Sequence, residues 1–169
     1  MTANLALVGL AALVLVAVVW DVRERRIPNA LTLAGLGLAI ALRSLEGPEA
    51  VLAGLAGLVL AVVVALPLVA LGGLGGGDAK LLAAVGAFLG PMQLLVALAI
   101  TALAGGVMAV VLAIHRGALH ESMVGAGVLV MNLFGRGMER PRRTIRSPGA
   151  LTIPYAVPIA IGALAVWLL

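Results

Sequence analysis

Apolar runs of about 20 residues recur along the whole chain, and they constrain its fold before any motif is considered. About 20 apolar residues in helical form cross a hydrocarbon layer, and a helix satisfies its own backbone polar groups there. With 63% hydrophobic and 11% charged residues and a mean hydropathy of +1.23, the 169 residues lack the polar surface of a soluble domain. The expected fold is all-α: a polytopic membrane protein of about six transmembrane helices. It forms one domain, residues 1–169, with no soluble domain beside it.

The runs set the expected spans. Ala3 to Trp20 is about 18 residues, roughly 27 Å as a helix. No Lys or Arg precedes it and no small-x-small cleavage site follows, so it reads as a retained span rather than a signal peptide. Asp21 to Arg26 is a polar stop, and Pro28 reads as a first-turn residue opening a second span over 28–42. Arg43 to Glu49 is a short connection with the turn signal Gly47-Pro48. The third span, 51–71, tolerates Pro67. Gly72 to Lys80 reads as non-helical, because each glycine costs about 1 kcal/mol relative to alanine in a helix. Leu81 to Ile114 is too long for one span and breaks at Gly90-Pro91, giving spans over 80–90 and 92–114. Gly86 and Gly90 read as small residues for close helix packing. An Arg-rich loop over 115–149 follows, with an apolar patch from Met123 to Phe134, and the last span covers 150–169.

Charge supplies an independent constraint. Of the eleven basic residues, all but Arg43 fall on one side of this six-span arrangement, and the positive-inside rule makes that side cytoplasmic. A single span over 81–114 would instead put the Arg23–Arg26 and Arg136–Arg146 clusters in opposite compartments. The net charge of +4 therefore reports orientation. With only 3% aromatics there are few platforms for stacking bases, and nucleic acid is not an expected partner. The absence of cysteine excludes disulfides, thiolate zinc sites and thiol catalysis.

Seven acidic residues remain for chemistry. Glu24 lies among arginines, Glu46 and Glu49 on the far side, and Glu121 and Glu139 in the long loop; each reads as surface. Asp21 and Asp78 differ, because both stand beside apolar helix ends, where an ionisable group is costly and points to function. Two spans separate them, so both face the same side. Two nearby carboxyls share a proton: one acts as base on a water while the other donates to a substrate carbonyl, and the titration belongs to the pair. The plainer alternative is that each caps a helix or pairs with Arg23 or Lys80. Gly75, Gly76 and Gly77 admit backbone angles closed to other residues and could hold an extended peptide by main-chain hydrogen bonds. They equally describe a plain loop. A small transporter or channel using the glycine-broken segment is a further alternative, although such proteins place polar groups near the membrane midplane. So is an assembly subunit without activity.

Two blocks carry a resemblance. Asp21-Val-Arg-Glu-Arg-Arg-Ile27-Pro28-Asn29 with Leu31-Thr32, and Gly75-Gly76-Gly77-Asp78-Ala79-Lys80-Leu81 in the pattern G-x-G-D-x-K-L, resemble the two blocks of type IV prepilin peptidases. Thr152 to Pro158 resembles the proline-rich start of that family's last helix. The resemblance implies an aspartic endopeptidase of the bacterial or archaeal cytoplasmic membrane, with its site facing the cytoplasm. It implies cleavage of the basic leader of prepilins or pseudopilins after a glycine, just before the hydrophobic helix. Asp21 and Asp78 match the catalytic positions; Ile27, Pro28, Asn29, Gly75, Gly76, Gly77 and Lys80 match motif positions around the substrate. No cofactor and no metal is implied. Larger members carry a segment with paired cysteines and methylate the new N-terminus. This cysteine-free chain resembles the short form of tight-adherence (Flp-type) pilus systems, and the resemblance does not extend to methylation. Since leader and enzyme face are both basic, anionic lipid headgroups are expected to bridge them. Lys80 or a cytoplasmic arginine is the expected partner of a substrate glutamate just past the cleavage site.

Overall fold

A computed structural model describes residues 2–115, 154–167 and 169. The Arg-rich stretch from Arg116, the Met123–Phe134 patch and the first residues of the last expected span, Thr152 and Ile153 among them, lie outside the described residues. The protein is an all-α membrane protein. Among the described residues the helices are α1 (Thr2–Glu24), α2 (Asn29–Ser44), α3 (Pro48–Ala70), α4 (Gly76–Leu89), α5 (Pro91–His115) and α6 (Ala156–Ala165).

Three of these, within α1, α3 and α5, are long and apolar enough to cross a membrane unaided. The other three are shorter. At 1.5 Å per residue, the 16 residues of α2, 14 of α4 and 10 of α6 reach only about 24, 21 and 15 Å. The final helix is thus much shorter than the 150–169 span expected from hydropathy. Apolar run length alone cannot tell a helix that crosses lipid from one enclosed by others.

α4 is such an enclosed helix. Every residue from Leu81 to Leu89 except Ala83 is buried, and α4 packs against each of the other five described helices. A helix apolar on every side belongs inside a bundle. Its tightest neighbour is α3, whose buried face is the small-residue row Gly54, Gly57, Ala61 and Ala65. A Cβ built on Gly86 would lie 2.5 Å from the Gly57 carbonyl oxygen, so the two backbones touch where van der Waals packing holds membrane helices together. Gly162 of α6 meets Ala97 and Thr101 of α5 in the same way.

The break at Gly90-Pro91 has a specific construction. Gly90 takes φ +78°, which a residue with Cβ rarely adopts, and α5 starts at the following proline. Arg43 holds this corner. Its guanidinium donates to the carbonyl oxygens of Ala87 (2.7 Å) and Phe88 (2.8 Å), which the end of α4 leaves without a helical partner, and to that of Ala50 (3.0 Å) in the first turn of α3. The one arginine that departs from the charge asymmetry is therefore a structural cap.

Two expectations need correction at the opposite end of the bundle. Pro28 is the N-cap of α2, with φ −61° and ψ 134°, rather than its first helical residue. More consequentially, Gly76 to Lys80 are helical; only residues 72–75 are not. A first turn has no preceding carbonyls to bond, so glycine there disrupts less than in a helix interior. Gly72, at φ +73°, ends α3 instead. Its N–H bonds Val69 O at 3.0 Å and the Gly73 N–H bonds Leu68 O at 2.8 Å, the paired bonds of a Schellman ending.

Candidate active site

α1 runs a full turn past Trp20, and this places Asp21. Leu10, Leu13, Val14 and Ala17 form one buried stripe at helical spacing, and Asp21 is the next position along it, 8% exposed. The helix then stops at Arg25, whose φ of +51° and N–H bond to Asp21 O at 2.9 Å make a left-handed C-terminal turn. Inside the buried end, an Asp21 carboxylate oxygen accepts the Ala156 N–H at 3.1 Å. Ala156 is the first residue of α6, so the carboxylate meets both an unpaired donor and the positive end of a helix. The helix-capping alternative raised from the sequence thus holds for Asp21, and the helix it caps lies 135 positions away.

Asp78 stands in the first turn of α4, three residues after the N-cap Gly75. Its carboxyl turns back to accept the Gly75 N–H, half of a capping box. Burial and then the nearby Asp21 charge raise its pKa to about 6, against a smaller lowering by the Gly75 bond. The two aspartates therefore sit close enough to feel each other, at the end of the bundle where α1 finishes and α4 and α6 begin.

The glycines have distinct roles here. None of Gly75, Gly76 and Gly77 has a positive φ, so unusual backbone angles are not why they are glycine. A Cβ on Gly75 would lie 2.6 Å from Asp78 Oδ2, whereas one on Gly76 would meet nothing within 4 Å. A Cβ on Gly77 would reach Ile27 Cβ at 3.4 Å. The first and middle positions of G-x-G-D follow from this: the first glycine makes room for the aspartate and the middle position is open, while the third lies in ordinary contact with Ile27 of the other block.

The two blocks meet at two points. Ile27, buried, packs beside Gly77, and Lys80 Nζ donates to Asn29 Oδ1 at 2.8 Å. Lys80 thus ties the start of α4 to the start of α2. Thr32 closes the first turn of α2 by donating to Asn29 O at 3.0 Å.

Tyr155 is the residue that sequence reasoning left without a role. It is the N-cap of α6, part-buried, next to the residue that bonds Asp21. Burial and then the Asp78 charge raise its pKa, so the phenol keeps its proton and stands near Asp78. Its signal in the sequence was slight: the one tyrosine of the chain, just after Pro154 at a helix start.

These features define an all-helical membrane protein with a carboxyl pair gathered at one end of its bundle. The family model described as the type IV leader peptidase family matches residues 8–110, and the chain belongs to that family. It is a membrane peptidase of the leader peptidase kind, and prepilin-like proteins are the substrates that membership implies. No curated protein and no solved structure gives a significant match. The matched segment contains both aspartates and both blocks, but ends before Tyr155 and Ala156.

Proposed function

We propose that the chain is an aspartic endopeptidase that removes the basic leader of prepilins or pseudopilins. Cleavage falls after a glycine, before the hydrophobic helix, at the cytoplasmic face of a bacterial or archaeal membrane. The observation that carries this reading is that Asp21 and Asp78 come close enough for the charge of one to act on the other, the first buried and held by the Ala156 N–H, the second part-buried with its pKa raised to about 6. Family membership favours it over a channel or transporter. The cysteine-free chain matches the short form associated with tight-adherence pili. Anionic lipids assist by bridging the basic leader and the basic enzyme face.

In this mechanism a water lies between the two carboxyls. Asp78 carries the shared proton and donates it to the carbonyl oxygen of the scissile peptide. Asp21 takes a proton from the water as its oxygen bonds the carbonyl carbon. The resulting gem-diol collapses, the C–N bond breaks, and the proton held by Asp21 passes to the leaving nitrogen. Asp78 recovers its proton as the new carboxyl forms. The hydrolysis requires no metal and no cofactor.

The test is cleavage of a peptide with a basic leader, a glycine and a hydrophobic helix by the purified full-length protein in lipid. Asp21→Asn and Asp78→Asn should each lower kcat by at least about 10³-fold, within the range seen for single members of a catalytic set, while the protein still inserts and accumulates. Near-normal cleavage by either variant would sink the dyad.

A further inference from the structure

We propose that Tyr155 is a third catalytic residue, its hydroxyl donating a hydrogen bond to the substrate carbonyl oxygen as that oxygen gains charge. The inference rests on the aspartic peptidase reading above and extends its site to α6, beyond the residues 8–110 that the family model matches.

Geometry supports it first. The Ala156 N–H to Asp21 bond of 3.1 Å pins the start of α6 onto one member of the pair. Tyr155 precedes Ala156, and the charge of Asp78 acts on its phenol. The tyrosine backbone therefore adjoins the residue that holds Asp21, and its phenol lies within reach of the Asp78 charge. It is only part-buried, and among the described residues no acceptor takes its hydroxyl hydrogen. A phenol kept protonated by its surroundings, with a free donor, suits a carbonyl oxygen arriving between the carboxyls.

The chemistry can use such a group. Both oxygens of the gem-diol end as hydroxyls, but charge develops on the carbonyl oxygen while the Asp78 proton is still in transfer, and at that moment the oxygen can accept a second hydrogen bond. A second, neutral donor that strengthens as charge develops lowers the barrier without tightening ground-state binding. The rigid cap position gives that donor a fixed direction, which electrostatic stabilisation of this kind requires.

The experiment uses the full-length enzyme in lipid and the same leader peptide. Tyr155→Phe removes one oxygen and keeps the ring, so folding is preserved. Its kcat should fall about 100-fold, as for loss of one oxyanion donor, with KM within about two-fold. Fluorinated tyrosines placed at 155, assayed below their ionisation, should raise kcat in order of phenol acidity. A ring that merely packs would show no such order. The inference is overturned if Tyr155→Phe keeps kcat within about three-fold of wild type, if the loss falls on KM alone, or if kcat ignores phenol acidity. Asp21→Asn and Asp78→Asn run alongside: should they cleave normally, the dyad itself fails. Should they be dead while Tyr155→Phe is fully active, only this inference fails.

Discussion

Gly75→Ala, set against Gly76→Ala, is the sharpest available test of how the site is built. Gly75 has φ −75° and ψ 147°, an extended conformation that alanine adopts without strain. Any effect must therefore come from the methyl group itself. That methyl would start 2.6 Å from Asp78 Oδ2, and ordinary van der Waals separation requires the oxygen to retreat by roughly 0.5–1 Å. The retreat breaks or lengthens the bond from the Gly75 N–H. A hydrogen bond to a charged group is worth about 1.5–3 kcal/mol, and a misplacement of about 1 Å at a reacting group lowers a rate on the order of 100-fold. At Gly76, by contrast, the new methyl meets nothing within 4 Å, and alanine favours the helix by up to about 1 kcal/mol. Steady-state cleavage of a leader peptide by the two variants should show kcat down about 100-fold for Gly75→Ala and unchanged for Gly76→Ala, with equal accumulation in the membrane. Equal activities, in either direction, would refute the account of why the motif is written G-x-G-D.

Three further outcomes are expected. In Asp21→Asn the Asp78 pKa should drop below its wild-type value of about 6 yet stay above the ordinary 3.8, because burial is the larger cause of its rise and the Asp21 charge the smaller. Infrared titration of the Asp78 carboxyl would show the protonated band vanishing at a lower pH in the variant. Gly86→Ala forces a methyl against the Gly57 carbonyl on an adjoining backbone and should destabilise by about 1–3 kcal/mol, read as a lowered unfolding midpoint in detergent. Arg43→Met leaves the Ala87, Phe88 and Ala50 carbonyls without their donor. It should destabilise by about 2–4 kcal/mol without altering the pH profile of cleavage.

Much of the bundle could be read from the chain because hydropathy and punctuation act locally. Gly47-Pro48 and Gly90-Pro91 mark helix junctions, and the two aspartates stand out because carboxyls are rare beside apolar helix ends. What escaped depends on contacts between distant segments. Counting glycine penalties put Gly76 to Lys80 outside the helix, since that penalty applies to interiors and not to a first turn. Run length overstated the last helix because burial by neighbours, rather than lipid, decides how long an enclosed helix must be. Asp21 carried a further signal in the chain: it falls in the helical register of Leu10, Leu13, Val14 and Ala17, which marks it as core-facing. Tyr155 had no comparable signal, since a single tyrosine after a proline reads as a helix start until the fold sets it beside Asp78.

The bond from Ala156 to Asp21 spans 135 positions of chain, and it dictates an order of events during synthesis. Asp21 is made well before its donor, which follows, at translation rates of about 5–20 residues per second, roughly 7–27 s later. Throughout that interval the first carboxyl has no helix to cap and the second has no fixed neighbour. The end of the bundle where α1 finishes is therefore completed late, by a contact between helices made far apart in time.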